Sequence, residues 1–179
     1  MQRARLSVIV YLGLGANLGD RLATFADAIR ALADAGIEPL RMSPVYESGY
    51  VGPGGPQPPY LDTVLEARTD LVPLALLDRT QELERRYGRS AESHLRPRTL
   101  DVDLLLYGDW TVRHPRLVIP HPRLHERRFA LQPLADLGVL GRWPALERGL
   151  AALGARQPLR RVAAIDIAAL GEVRAVQAE

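Results

Sequence analysis

Residues 96–108, RPRTLDVDLLLYG, set two aspartates, Asp101 and Asp103, inside an otherwise apolar run. The alternation of Leu100, Val102, Leu104 and Leu106 predicts one face of a β-strand, because successive side chains point to opposite sides. Thr99, Asp101, Asp103 and Leu105 then share the other face. Two carboxylates so placed lie about 6.5 Å apart and repel by roughly 2–3 kcal/mol at an effective dielectric near 20. Pairing with arginine near a strand end relieves that repulsion. So does Mg2+, which binds through one or two carboxylates and completes its shell with water and phosphate oxygens. Two such ions can clamp the entering and leaving oxygens of a phosphoryl transfer. Arg98, just upstream, adds a fixed cation suited to phosphate.

A second cluster, RLVIPHPRLHERRF, holds Arg116, His121, Arg123, His125, Arg127, Arg128 and Phe129. Basic groups this dense beside a PHP turn suit a polyanion such as a triphosphate. For Arg123, His125 and Arg128 a charged surface turn is the favoured reading, and His114 reads as a loop residue. In GLGANLGDR the glycine spacing misses the dinucleotide fingerprint by one residue. Gly13 and Gly15 therefore read as close-packing positions and Asn17 as a helix N-cap. Gln81 and Glu84, three apart on a helix, share a face that reads as a polar stripe with Asp78, Arg85 and Arg86.

The elements that must position these groups follow from the rest of the chain. Its 179 residues suffice for one domain with a proper core, and 47% apolar and 25% charged residues are ordinary for a globular protein. No cysteine is present, which excludes disulfides and thiolate metal sites. All 23 basic residues are arginine, so P-loop lysine, kinase lysine and Schiff-base chemistry are excluded. The formal charge of +2 is too small to argue for nucleic acid. No apolar stretch reaches the ~20 residues that cross a bilayer, and the N-terminus does not read as a signal peptide. We expect a cytoplasmic monomer with neither a nucleic-acid nor a membrane partner.

Val8–Leu14 predicts a buried strand, followed by a helix ending near Gly36. Glu38–Tyr46 predicts a second strand. Between Tyr50 and Tyr60, three glycines and four prolines define a long loop. Tyr60–Ala67 is extended, Leu71–Tyr87 is an amphipathic helix ending at Gly88, and a polar loop leads into the aspartate strand. The order is β-α-β-β-α-β: an α+β, ferredoxin-like core with an antiparallel sheet and helices packed on it. Helices over Arg127–Leu137 and Pro144–Leu153 make a C-terminal helical extension. Residues 1–154 read as one domain. Residues 155–179 have no clear periodicity and no assigned role.

Taken together, YLGLGANLGDR, SPVYES, GP…PPYLD, RTQELERRYGR, RPRTLDVDLLLYG and IPHPRLHERRFALQPL resemble the 6-hydroxymethyl-7,8-dihydropterin pyrophosphokinase family of folate biosynthesis, over roughly residues 7–150. The resemblance implies transfer of an intact pyrophosphoryl group from MgATP to the pterin's hydroxymethyl oxygen, releasing AMP. It implies that Asp101 and Asp103 hold two Mg2+ ions and that Arg98 and Arg89 are mobile catalytic arginines. Gln81, Glu84, Arg98, Leu104, Arg116, His121 and Arg127 would contact ATP. Ser48, Gly49, Val51, Tyr60, Asp62 and Phe129 would contact the pterin, with Tyr60 and Phe129 sandwiching its flat ring. The loops 49–59 and 89–97 would close over the site.

The chain departs from the family pattern at several of these places. Asp62 stands where asparagine usually follows YL, Leu95 replaces a tryptophan, and Arg96 replaces the glycine before PR. Ala91 sits where a further arginine is common. An ionised Asp62 accepts hydrogen bonds and repels a ring carbonyl. Two alternatives stay open: a related Mg-ATP pyrophosphokinase acting on another alcohol, and a ferredoxin-like RNA-binding module. The second would need aromatics on the central strands, which offer only Tyr11 and Tyr107.

Overall fold

The computed structural model describes residues 7–50, 55–90 and 96–170. Strand β1 (Val8–Ala16) runs down the middle of the sheet, antiparallel to β4 (Tyr60–Thr69) on one side and to β5 (Asp101–Tyr107) on the other. Beyond β4 lie β2 (Ile37–Met42) and β3 (Val45–Ser48), so the strands follow the order β5-β1-β4-β3 of a βαββαβ fold. The predicted strand 38–46 is thus two strands. Pro44 has no N–H, and the Ser43 hydroxyl takes the N–H of Val64 at 2.9 Å where the ladder is interrupted.

Helices α1 (Arg21–Asp34) and α2 (Pro73–Arg86) cover one face of the sheet. Phe25, Ile29 and Leu32 of α1 and Leu76 and Leu83 of α2 pack on Val10, Leu12, Leu14, Val102 and Leu104. Both helices stop where expected, each followed by a glycine with positive φ, Gly36 at 83° and Gly88 at 86°. The opposite face is covered by α3 (Arg128–Asp136) and α4 (Pro144–Leu153), whose Leu131, Leu134 and Leu146 meet Tyr11, Val64, Leu105 and Leu106. A small hairpin, β6 (Val112–His114) with β7 (Leu117–Ile119), leads into α3, so His114 is a strand residue.

Leu106 does not share the face of Leu100, Val102 and Leu104. The register slips between Tyr11 and Leu12, where Tyr11 opposes Leu106 and Leu12 opposes Leu104. Leu105 is the extra residue, a bulge that turns Leu106 toward α3. The bulge carbonyl accepts the His121 N–H at 3.0 Å and so anchors the PHP turn.

Residues 159–163, to which the sequence assigned no element, form β8 (Leu159–Ala163), antiparallel to β3 at the sheet edge. Among the described residues, no helix is long and apolar enough to cross a membrane.

Candidate active site

Above one end of the sheet, on the α3 side, the strands leave a cavity of about 140 Å³. Its floor exists because β1 carries glycine there. Gly15 lies between Asp62 of β4 and Asp101 of β5, and Gly13 between Val64 and Asp103. A Cβ on Gly15 would meet Asp62 Oδ1 at 3.4 Å and the Tyr60 ring at 3.7 Å. The close-packing role read for the two glycines is therefore what opens the hollow between two acidic strands.

Asp101 and Asp103 face this cavity from β5. The Arg98 guanidinium makes a short contact with Asp101 Oδ1, and Arg89 donates to the same oxygen at 3.1 Å. Arg127 donates to Asp103 Oδ2 at 3.0 Å and lies 5.7 Å from the centroid of the Phe129 ring. A third of the Asp103 side chain is open to the cavity. Burial of the rest, with Asp101 alongside, holds its carboxyl above the usual range. Burial lowers the pKa of His121 even though Asp103 pulls it the other way.

The other end of the cavity is flat and aromatic. Tyr60, Tyr50 and Phe129 line it together with Ser48, Gly49 and Asp62. The Tyr50 and Tyr60 rings stack with centroids 6.3 Å apart. Asp62 is buried, and Ser48 Oγ donates to its Oδ2 at 2.6 Å. Desolvation raises its pKa to about 7, against the lowering effect of the Ser48 bond. The burial of Asp62 favours its protonated form over the ionised, acceptor-only carboxylate.

Glu84 also departs from its reading as part of a solvated stripe. It is 1% exposed, and its Oε1 accepts the Val102 N–H at 2.9 Å and the Arg89 guanidinium. Gln81 sits one turn earlier on α2. Asn17 is not the N-cap of α1; the Asp20 carboxylate fills that place, accepting from Ala23 N–H at 3.1 Å. Asn17 is buried instead, and its side chain joins two loops. Its Oδ1 accepts Arg98 N–H at 2.7 Å, while Nδ2 donates to Pro58 O at 3.1 Å and Gln57 Oε1 at 3.3 Å.

The remaining candidates divide. Leu104 turns its side chain into the core under α1 and α2, leaving only its backbone for any ligand. Arg116 pairs with Asp78 on the surface, outside the cavity lining. Val51, Ala91 and Leu95 lie outside the described residues. Arg123 lines the cavity with Arg96, and Arg128 binds the C-terminal segment, so neither is a plain surface residue. His125 does stay exposed, beside Glu126. Tyr50 and Arg123 were missed as cavity residues; the loop glycines masked the first and an ordinary-looking charge run the second.

The profile of the 7,8-dihydro-6-hydroxymethylpterin-pyrophosphokinase (HPPK) family matches residues 11–139. The chain is 38% identical over 130 residues to a 2-amino-4-hydroxy-6-hydroxymethyldihydropteridine pyrophosphokinase of Bacillus subtilis, covering 72% of this chain and 77% of that one. With the Synechocystis protein of the same name it shares 42% over 127 residues, 70% of this chain and 64% of the relative. Its fold resembles a crystal structure of Plasmodium falciparum HPPK-DHPS, with TM-score 0.63, 13% identity, and coverage of 87% of this chain and 48% of that chain. The chain thus spans about half of that longer protein. Sheet topology and relatives define an α+β pyrophosphokinase. The chain belongs to the HPPK family.

Proposed function

We propose that the cavity over β1 is where this chain carries out its family's reaction, with the metal-bound triphosphate at the aspartate end and the pterin in the aromatic slot. As an HPPK, the chain is an ATP-dependent pyrophosphokinase of folate biosynthesis. The carrying observation is that Asp101 and Asp103 open into the same cavity as Tyr60, Phe129 and the buried Asp62.

The donor chemistry fits magnesium. Two carboxylate-bearing residues share one face of β5 and line an open cavity, and Mg2+ takes its other ligands from phosphate and water. Asp101 and Asp103 would hold the ions, with phosphate oxygens and water completing each shell. Bound there, magnesium supplies charge neutralisation along the triphosphate and at the acceptor oxygen.

The chain's own residues do the rest. Arg98, Arg89 and Arg127 already lie against the two aspartates, and their guanidinium forks suit the phosphate oxygens that arrive with the nucleotide. Tyr60 and Phe129 hold the flat ring, and Ser48 and Asp62 meet its polar edge. A neutral Asp62 carboxyl offers one O–H donor and one carbonyl acceptor, so like an asparagine amide it both donates and accepts, although with one donor hydrogen where the amide has two. It can therefore face a ring that shows both an N–H and a carbonyl. Catalysis then comes from alignment and charge compensation: the hydroxymethyl oxygen attacks the β-phosphorus as the bond to the α-phosphate oxygen breaks, and AMP departs.

Incubation with MgATP and 6-hydroxymethyl-7,8-dihydropterin tests the reading directly. AMP formed only when the pterin is present supports it. ADP as the product, or AMP formation indifferent to the pterin, overturns it.

A further inference from the structure

Beyond the stretch matched by the family profile, the chain returns to the site through residues 154–163. We infer that Gln157 is a positioning residue for the reaction, because its side-chain amide fixes the backbone on both sides of Arg127 and so sets Arg127 against Asp103 and Phe129 against the ring slot. The inference rests on the proposed function for the identity of the ligands, and on geometry alone for the clamp.

Helix α3 starts at Arg128 without a capping side chain of its own; its N-cap residue, Arg127, makes no side-chain cap bond. The first N–H groups of such a helix need an acceptor from elsewhere. Gln157 supplies it from 29 residues downstream, its Oε1 accepting the Arg128 N–H at 2.8 Å. The same amide turns its Nε2 back to donate to the Glu126 carbonyl at 2.8 Å. Arg127 is therefore held between two anchored peptide groups. Arg128 returns the grip, its Nη1 donating to Gly154 O at 2.8 Å and Gln157 O at 3.0 Å.

The clamp has a fixed base. Two residues after Gln157, β8 begins, and its Leu159 pairs with Ser48, itself a wall of the cavity. Arg160 of the same strand donates to Glu47 Oε1 at 2.6 Å. One short segment thus braces Ser48 by strand pairing and braces Arg127 and Phe129 through one amide. Arg127 and Phe129 flank Arg128, whose N–H the amide holds, so releasing it disturbs the phosphate-facing guanidinium and the aromatic wall together.

A cap that merely stabilises would lower the melting temperature and leave kinetic constants alone. A positioning role moves them. The test compares wild type, Gln157→Ala and Gln157→Glu in the full chain for melting temperature, kcat, and KM for the pterin at saturating MgATP. Gln157→Ala is expected to lower kcat/KM for the pterin about 3- to 10-fold, the size of about one net hydrogen bond. Gln157→Glu keeps the acceptor for Arg128 N–H and loses the donor to Glu126, so it is expected to recover part of that loss. If the alanine variant does not fold, the glutamate variant carries the comparison alone, with a kcat/KM below wild type in protein that melts normally as the supporting result. Wild-type constants in whichever folded variant is assayed overturn the inference. Wild-type protein that makes no AMP overturns the activity reading instead; the clamp is then judged by Tyr60 and Phe129 contact to the pterin, where an unchanged dissociation constant in the variants overturns it and a raised one supports it.

Discussion

Glu84 Oε1 accepts the backbone N–H of Val102, the residue between the two aspartates, at 2.9 Å. Among the described residues, strand β5 lies at the sheet edge and pairs with β1 alone, so its outward N–H groups need a partner from outside the ladder. A helix carboxylate that is 1% exposed provides one, and thereby ties α2 to the strand that presents Asp101 and Asp103. Glu84→Ala leaves that N–H buried and unsatisfied, at an expected cost of about 1–3 kcal/mol in urea unfolding. Glu84→Gln keeps a carbonyl acceptor in place and should cost less than half as much. Equal losses in the two variants would show that the charge, not the Val102 bond, is what matters.

Asp101→Asn and Asp103→Asn are expected to reduce AMP formation more than about 100-fold, since each removes half of the metal's protein donor set. Neither should melt more than a few degrees below wild type. Asp103 is held above its usual range by burial and by Asp101, so its charge is a burden to the fold. Circular dichroism melts run beside the activity assay separate the two effects. A variant that keeps near-full turnover would falsify the metal assignment.

Asn17 is expected to matter to stability and turnover together. It is 4% exposed and its amide links Arg98 backbone to Pro58 and Gln57, the near ends of both loops beside the cavity. Asn17→Ala strands the Arg98 N–H and lets those loops part, at an expected cost of about 1–3 kcal/mol by urea unfolding. Turnover should fall as well, because Arg98 reaches Asp101 only from a backbone held in place. Full activity in the destabilised variant would count against that link.

Much of this arrangement was legible in the sequence because it is periodic or locally marked. The alternation around Asp101 and Asp103 defines β5 up to the bulge, and Gly36 and Gly88 mark the helix ends. The residues missed depend on contacts distant in sequence. Asn17 sits where an N-cap belongs, but Asp20 competes for that role three residues on, and Asn17's partners lie 40 and more positions away. Glu84 falls on the stripe of Leu76, Thr80 and Leu83, but a carboxylate among arginines there reads as solvated until β5, arriving beside it, supplies the Val102 N–H that buries it. Residues 159–163 alternate too weakly to declare a strand, and gain that structure from the open edge of β3. The bulge at Leu105 has no glycine to announce it.

Asp62 gives the pH dependence. Its pKa is raised from 3.8 to about 7, with burial as the largest cause. Between roughly pH 4 and pH 7 the folded protein holds a proton that the unfolded chain has released, so this group makes stability fall as pH rises through that window. Asp62→Asn abolishes the ionisation and is expected to raise the melting temperature most at pH 8, less at pH 5, and little below pH 4. Ligand binding should follow the same proton. Below pH 7 the neutral carboxyl both donates and accepts, and above it the donor is lost next to a ring carbonyl. Pterin titrations followed by fluorescence should therefore weaken for wild type between pH 6 and pH 8.5, and Asp62→Asn should bind about 3- to 10-fold more tightly at the higher pH with a flatter profile. Weaker binding by the asparagine variant at pH 8.5 would mean that the carboxylate, fully charged, is what this pocket uses to recognise its ligand.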